Sequence, residues 1–222
     1  MAVLPHPIGM YERERTPTEL VMYALYLYFL GLSFRNTAKA IQPFVDGGRS
    51  HVAIWYWVQQ FEPVELYPCR RVAAYLIDES QVQIGGNEAW VWVATEPVHR
   101  TVLGVYISRH RNMLVAEAFL QSLVQKYGRH PVYSDGGTWY PEACRSLELE
   151  HRLHSTHSKN LMERAVEYFK DRTEGFDDYY PCTRQECNLF HVWNWSRLFV
   201  FMHNAKRAGM KFRLIARLLG GD

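Results

Sequence analysis

Hydrophobic periodicity divides the chain into three textures. Up to residue 61 apolar side chains recur every third or fourth position, from 72 to 107 they alternate or run on, and beyond 113 the helical spacing returns. In the first stretch, Thr16-Pro17-Thr18-Glu19 opens a helix expected over residues 18–30 and stopped by Gly31. Ser33 caps a second helix, FRNTAKAI, which Pro43 and Gly47-Gly48 break. Ser50 caps a third, HVAIWYWVQQF, whose Ile54, Trp57, Val58 and Phe61 share one face and pack inward. A tight break before this third helix suits a helix-turn-helix.

The middle texture belongs to strands. VAAYLIDES, residues 72–80, lies between Pro68 and Gly85-Gly86, and its β-branched and aromatic side chains predict a short buried strand with Asp78 at its end. AWVWVAT (89–95) and TVLGVYI (101–107), joined through Glu96-Pro97, complete an antiparallel meander. Met113, Ala116, Phe119, Leu120 and Leu123 mark the buried face of a helix that ends at Gly128, ahead of a strand at 131–134. A short helix at 141–147 and a last strand at 150–154 follow. Ser158 or Asn160 then begins a helix carrying Glu163, and residues 185–207 form a longer one with Phe190, Trp193, Leu198 and Phe201 on its apolar side.

Three acids stand in comparable settings: Asp78 at a strand end, Asp135 in Ser134-Asp135-Gly136-Gly137, and Glu163 in Asn160-Leu161-Met162-Glu163. A carboxylate held on rigid backbone at a sheet rim is open to solvent and can ligate a metal; the plainer alternative is an aspartate that caps the next turn. Three strands, a helix and a fourth strand suggest a ribonuclease H-like sheet. In such a sheet the first and fourth strands are neighbours, which brings Asp78 and Asp135 together, and a helix across the edge adds Glu163. The expected fold is α/β: a flexible arm at 1–16, an all-α helix-turn-helix at 17–64, a linker at 65–71 and a ribonuclease H-like mixed-sheet catalytic domain at 72–222.

Composition narrows the picture only in places. A chain of 222 residues with 48% hydrophobic content buries a real core, and a net charge of +2 with pI near 8.3 permits nucleic-acid binding without arguing for it. Four dispersed cysteines and no basic, apolar leader point to a reduced cytoplasmic protein. The longest apolar run, residues 20–32, is too short and too rich in tyrosine for a bilayer, so no membrane role is expected. His151, His154 and His157 with Cys182, Cys187 and His191 do not form a standard zinc frame. Trp90, Trp92, Trp193 and Trp195 read as core and sheet-face residues, and Glu79 as pointing away from Asp78 across the strand.

The chain resembles the DDE transposases of insertion-sequence family six, from residue 20 to residue 204. Gly31-Leu32-Ser33-Phe34-Arg35 and Ser50-His51 to Trp57-Val58 match the helix-turn-helix; Asp78-Glu79-Ser80 with Trp90 matches the first catalytic segment. Arg111-Asn112, Ala116 and Phe119-Leu120 match the helix after the meander. Asp135-Gly136-Gly137 with Trp139-Tyr140 matches the second catalytic segment, Asn160 to Glu163 the third, and Lys170 the family's basic residue. Glu167 departs from the pattern, because relatives carry a basic residue one turn after the glutamate.

The resemblance implies that Asp78, Asp135 and Glu163 are the catalytic, metal-binding acids for Mg²⁺ or Mn²⁺, with two ions per site. It implies terminal inverted repeats and target DNA as partners, Lys170 as a contact to the element end, and a homodimer or larger assembly on DNA. The reaction is strand cleavage followed by attack of the freed 3′-hydroxyl on target DNA, with no covalent enzyme intermediate. If the three N-terminal helices read DNA, the third enters the major groove with His51, Val52, Trp55 and Tyr56, while Arg49 and Ser50 lie at the backbone. The alternatives are a plain trihelical bundle for that unit, and for the whole chain a non-catalytic element-derived regulator or a ribonuclease H-like nuclease.

Overall fold

The computed structural model describes residues 16–60, 71–84, 87–155 and 189–207, together with Glu167, Phe169 and Asp171, which are helical. The chain divides into two compact units, Met1–Val64 with Phe201–Asp222, and Glu65–Val200.

The first unit is built on α1 (Thr18–Phe29), α2 (Phe34–Ile41) and α3 (His51–Gln60). The Ser33 hydroxyl accepts from the Asn36 amide at 3.2 Å, as its capping position requires, and the Ser50 hydroxyl accepts from Ala53 at 3.4 Å. Val21, Met22, Leu25, Ile41, Ile54, Trp57 and Val58 are completely buried. Their helical spacing therefore is the core face. The connection from α2 to α3 is longer than expected: it holds a 3₁₀ turn at Gln42–Phe44 and the left-handed glycines Gly47 and Gly48, with φ of 76° and 65°. Pro43 shortens α2 into that 3₁₀ turn instead of ending it outright. A compact helix-turn-helix joins its helices through about 3–4 residues. Phe61 lies outside the described residues.

The second unit is organised on a five-stranded sheet of order β3-β2-β1-β4-β5. β1 (Tyr75–Ile84) and β2 (Asn87–Thr95) pair antiparallel, as do β2 and β3 (Val102–Ser108); β4 (Val132–Ser134) runs parallel to β1, and β5 (His151–Leu153) parallel to β4. This is the ribonuclease H-like arrangement, with first and fourth strands adjacent. β1 runs four residues past Ser80, because alternation continues through Gln81-Val82-Gln83-Ile84 and pairs with β2 as far as Asn87. Asp78 therefore lies within a strand and not at its end.

α4 (Met113–Tyr127) carries the chain from β3 to β4 and stops at Gly128, which adopts φ of 89°. α5 (Trp139–Ser146) opens earlier than expected, with Pro141 in the first turn, where its missing amide hydrogen is harmless. Together α4 and α5 cover one face of the sheet, closing a core of Tyr75, Ile77, Trp92, Phe119, Leu120 and Tyr140. The Trp92 indole nitrogen donates to the Ser108 hydroxyl at 2.8 Å, so this buried donor is satisfied. α6 (Leu189–Arg207) buries Val192, Trp195, Leu198 and Phe199, and the Phe169 ring meets Trp195 and Phe199 edge-on at 5.8 and 5.1 Å. Phe190, expected on the apolar side of α6, is 52% exposed beside Trp193; the inward stripe is set by Trp195 instead. No helix among the described residues is long and apolar enough to cross a membrane.

Gly104 gives the sharpest packing test. A β-carbon there would stand 2.9 Å from Leu123 Cδ2 and 3.4 Å from Phe119, both buried on α4. Gly104→Val is expected to lower unfolding free energy by about 1–3 kcal/mol through overpacking, read from urea unfolding curves.

Candidate active site

The site grows from one register. Tyr75 pairs with Val132 and Leu76 with Tyr133, and Asp78 and Asp135 each follow that last pair by two residues, toward the same end of two parallel strands. Neighbouring strands run about 4.8 Å apart, which keeps the two backbones within reach of a common ligand. Asp78 is half-buried and its Oδ1 accepts from the Glu79 amide at 2.9 Å. Asp135 is exposed in the turn after β4; its Oδ1 accepts from the Gly137 amide at 3.0 Å, and no hydrogen bond among the described residues engages Oδ2.

The turn itself needs glycine. Gly136 sits at φ of 93°, and a β-carbon on Gly137 would come within 2.7 Å of the Trp139 ring. The chain can thus double back directly after Asp135, and the Tyr140 amide donates to the Gly137 carbonyl at 3.1 Å to start α5.

Glu79 occupies the opposite face of β1 from Asp78, as alternation requires, and its side chain is fully buried. The Arg111 Nε and Nη2 both donate to Glu79 Oε1, at 2.8 and 2.6 Å, and the Tyr140 hydroxyl donates to Oε2. The Arg111 guanidinium lies 4.5 Å from the Trp90 ring and 4.2 Å from the Trp139 ring. Burial pushes the Tyr140 hydroxyl well above its ordinary pKa, followed by the charge and hydrogen bond of Glu79 and then the charges of Asp78 and Asp135. Tyr140 therefore remains a donor, and Glu79 is the acid it bonds.

This polar cluster escaped prediction, although a signal existed. Counting alternately from Tyr75 and Ile77 places Glu79 on the core face, and a carboxylate there demands a cation. Which cation answers is a long-range fact, since Arg111 lies 32 residues away.

Beside Asp135, the Ser134 hydroxyl is 2.9 Å from His151 Nε2, and burial lowers the pKa of His151. His154 Nε2 sits 2.8 Å from the Tyr133 carbonyl. Among the described residues no group of three or more histidines, cysteines or acids is positioned to hold a metal; His157, Cys182 and Cys187 lie outside them, as do Glu163 and Lys170.

Of the residues expected to meet DNA, His51, Val52, Trp55 and Tyr56 form an exposed face of α3, and Ser50 is exposed at its start. Arg49 is partly committed elsewhere. Its Nε donates to Thr16 Oγ1 at 2.6 Å and its Nη1 to the Gly48 carbonyl at 2.8 Å, so the side chain braces the loop ahead of α3.

Removing the cation from the Glu79 pair tests the cluster. Arg111→Ala is expected to destabilise the fold by about 3 kcal/mol, the lower end for an uncompensated buried charge because Arg111 is itself 34% exposed. Chemical denaturation at neutral pH measures this, and a loss below 1 kcal/mol counts against the pair as an anchor.

Comparison with known proteins bears on the same segment. Residues 72–179 match a family model described as a DDE domain. An uncharacterized protein of Methanocaldococcus jannaschii is 30% identical over 197 residues, which is 88% of this chain and 90% of that protein. Among solved structures, the catalytic core domain of BIV integrase aligns at 19% identity and a TM-score of 0.44, covering 59% of this chain and 82% of that one. An integrase chain in the simian T-cell lymphotropic virus intasome with PP2A regulatory subunit B56 gamma aligns at 12% identity and a TM-score of 0.45, over 89% of this chain and 65% of that one. The chain belongs to one family with the archaeal protein, and its residues 72–179 match a DDE domain.

Proposed function

We propose that this protein is a DDE transposase of insertion-sequence family six, which binds the terminal inverted repeats of its element and carries out metal-dependent strand cleavage and strand transfer. The supporting observation is the parallel pairing of β1 with β4 at Tyr75–Val132 and Leu76–Tyr133, after which Asp78 and Asp135 each follow by two residues, inside a segment that matches a DDE domain. Their donor set is oxygen only, which fits a hard divalent cation such as Mg²⁺ or Mn²⁺. Glu163 is the third acid of the set, six residues ahead of Phe169 in sequence. A divalent pair bound there would stabilise the attacking and leaving oxygens of a phosphodiester exchange.

The remaining roles follow from position. Asp135, exposed and held by only one of its two oxygens, offers the other outward. The α3 face of His51, Val52, Trp55 and Tyr56, introduced by Ser50, reads the element end as the third helix of a helix-turn-helix at 17–64, while Lys170 contacts end DNA. Arg49 serves that unit by fixing the loop. Joining two ends calls for a homodimer or larger assembly on DNA, and the work is done in the cytoplasm on chromosomal or element DNA.

Asp135→Asn is expected to abolish cleavage and strand transfer on end-bearing oligonucleotides in Mg²⁺ while leaving end binding at its wild-type level. Retained turnover would remove Asp135 from the site. End binding without any turnover by the wild-type protein in Mg²⁺ would favour a binding protein over an enzyme.

The third acid is decided by a pair of variants. Glu167 is exposed and follows Glu163 by four residues in sequence, a separation that on a continuous helix equals about 6 Å of rise, too far for both to share one ligand position. Glu163→Gln is expected to lose strand transfer, whereas Glu167→Gln keeps it and binds DNA more tightly, because a negative charge near phosphates is gone. An active Glu163→Gln beside an inactive Glu167→Gln would reverse the assignment.

A further inference from the structure

The loop carrying Asp135 is anchored at two points. Its N-terminal end is β4, hydrogen-bonded to β1; its C-terminal end is Tyr140, whose hydroxyl donates to Glu79, the residue next to Asp78. Between these anchors lie Asp135, Gly136, Gly137, Thr138 and Trp139. The second anchor is itself braced, because Arg111 is forked onto Glu79 and stacked between Trp90 of β2 and Trp139 of α5. The Trp139 ring in turn presses on Gly137.

We infer that Tyr140, Glu79 and Arg111 form a latch that closes the Asp135 loop against β1 and so sets the separation of the two aspartates, making these three positioning residues for divalent-ion binding. This rests on the proposed metal-binding role of Asp78 and Asp135 and extends it to residues that touch no ion.

The reasoning is geometric. A three-residue β4 gives Asp135 backbone support on one side only, and a glycine-rich turn does not supply the rest. Glu79 cannot join the ions, since Oε1 is filled by Arg111 and Oε2 accepts from Tyr140. Its burial is matched by the ion pair with Arg111 at 2.6 Å. What it contributes is a fixed acceptor at a fixed distance from the Asp78 backbone. Groups that hold metal ligands in place without touching the metal typically change affinity by about 10–100-fold when removed.

The full-length protein without DNA is titrated with Mn²⁺ and the free ion is followed by electron paramagnetic resonance, alongside strand transfer as a function of Mn²⁺. Tyr140→Phe keeps the buried ring and deletes only the donor. It is expected to raise the half-saturating Mn²⁺ about tenfold in both measurements, while strand transfer at saturating Mn²⁺ returns to near the wild-type rate. Arg111→Lys keeps the charge opposite Glu79 but loses the fork, and moves the half-saturation point in the same direction. It decides the matter if Tyr140→Phe does not fold by circular dichroism. Asp78→Asn is the control. If Asp78→Asn binds Mn²⁺ like wild type, the metal-site reading fails; if it loses Mn²⁺ while folded Tyr140→Phe and Arg111→Lys bind normally, the latch alone is overturned.

Discussion

Two parallel strands cannot be joined by a hairpin, and that constraint underlies the catalytic unit. β1 and β4 run side by side in the same direction, so the chain must leave the end of the meander and return to the starting edge of the sheet. α4 makes that journey, and its buried stripe of Ala116, Phe119, Leu120 and Leu123 is what lays it on the sheet as it goes. Its far end is tied down by side chains: the Tyr127 hydroxyl donates to the Leu103 carbonyl at 2.9 Å, and the Tyr75 hydroxyl to the Leu123 carbonyl at 3.2 Å. With the crossover length and both ends defined, the parallel register of β1 and β4, which Asp78 and Asp135 follow, is a consequence of packing.

How much of this could be read from residues alone depended on the range of the interaction. Caps at Ser33 and Ser50, the stop at Gly128, and the inward faces of α3 and α4 are local signals, and the structure keeps them. The neighbouring positions of the first and fourth strands came from element order, which is a topological inference and equally robust. Errors arose where two readings compete locally. The strand was expected to end at Ser80, but exposed Gln81 and Gln83 alternate with buried Val82 and Ile84 and carry it on to Ile84. At Phe190 an aromatic on a helix suggested burial, but the first turn of α6 leaves it outside with Trp193. Exposed aromatics are ordinary on protein surfaces, so side-chain type alone was a weak guide there.

The least legible part was the polar interior. Glu79 and Arg111 are far apart in sequence, belong to different elements and meet only after the crossover is complete. The electrostatic division of labour that results is simple: of two adjacent acids on β1, Glu79 turns inward onto Arg111, and Asp78 faces the other side of the strand. The acids are thus separated by face rather than by distance, and strand alternation performs the separation.

The crowding around Gly137 has a spectroscopic consequence. Trp139 is clamped between the backbone of the turn and a guanidinium 4.2 Å away, and Trp90 stands over the same guanidinium at 4.5 Å. An indole immobilised in this way has a fixed transition dipole in an asymmetric field, so it contributes near-ultraviolet circular dichroism for as long as the turn stays folded against β1. The segment that bears Asp135 consequently carries its own chromophore, and its order can be followed in solution without a label and without substrate.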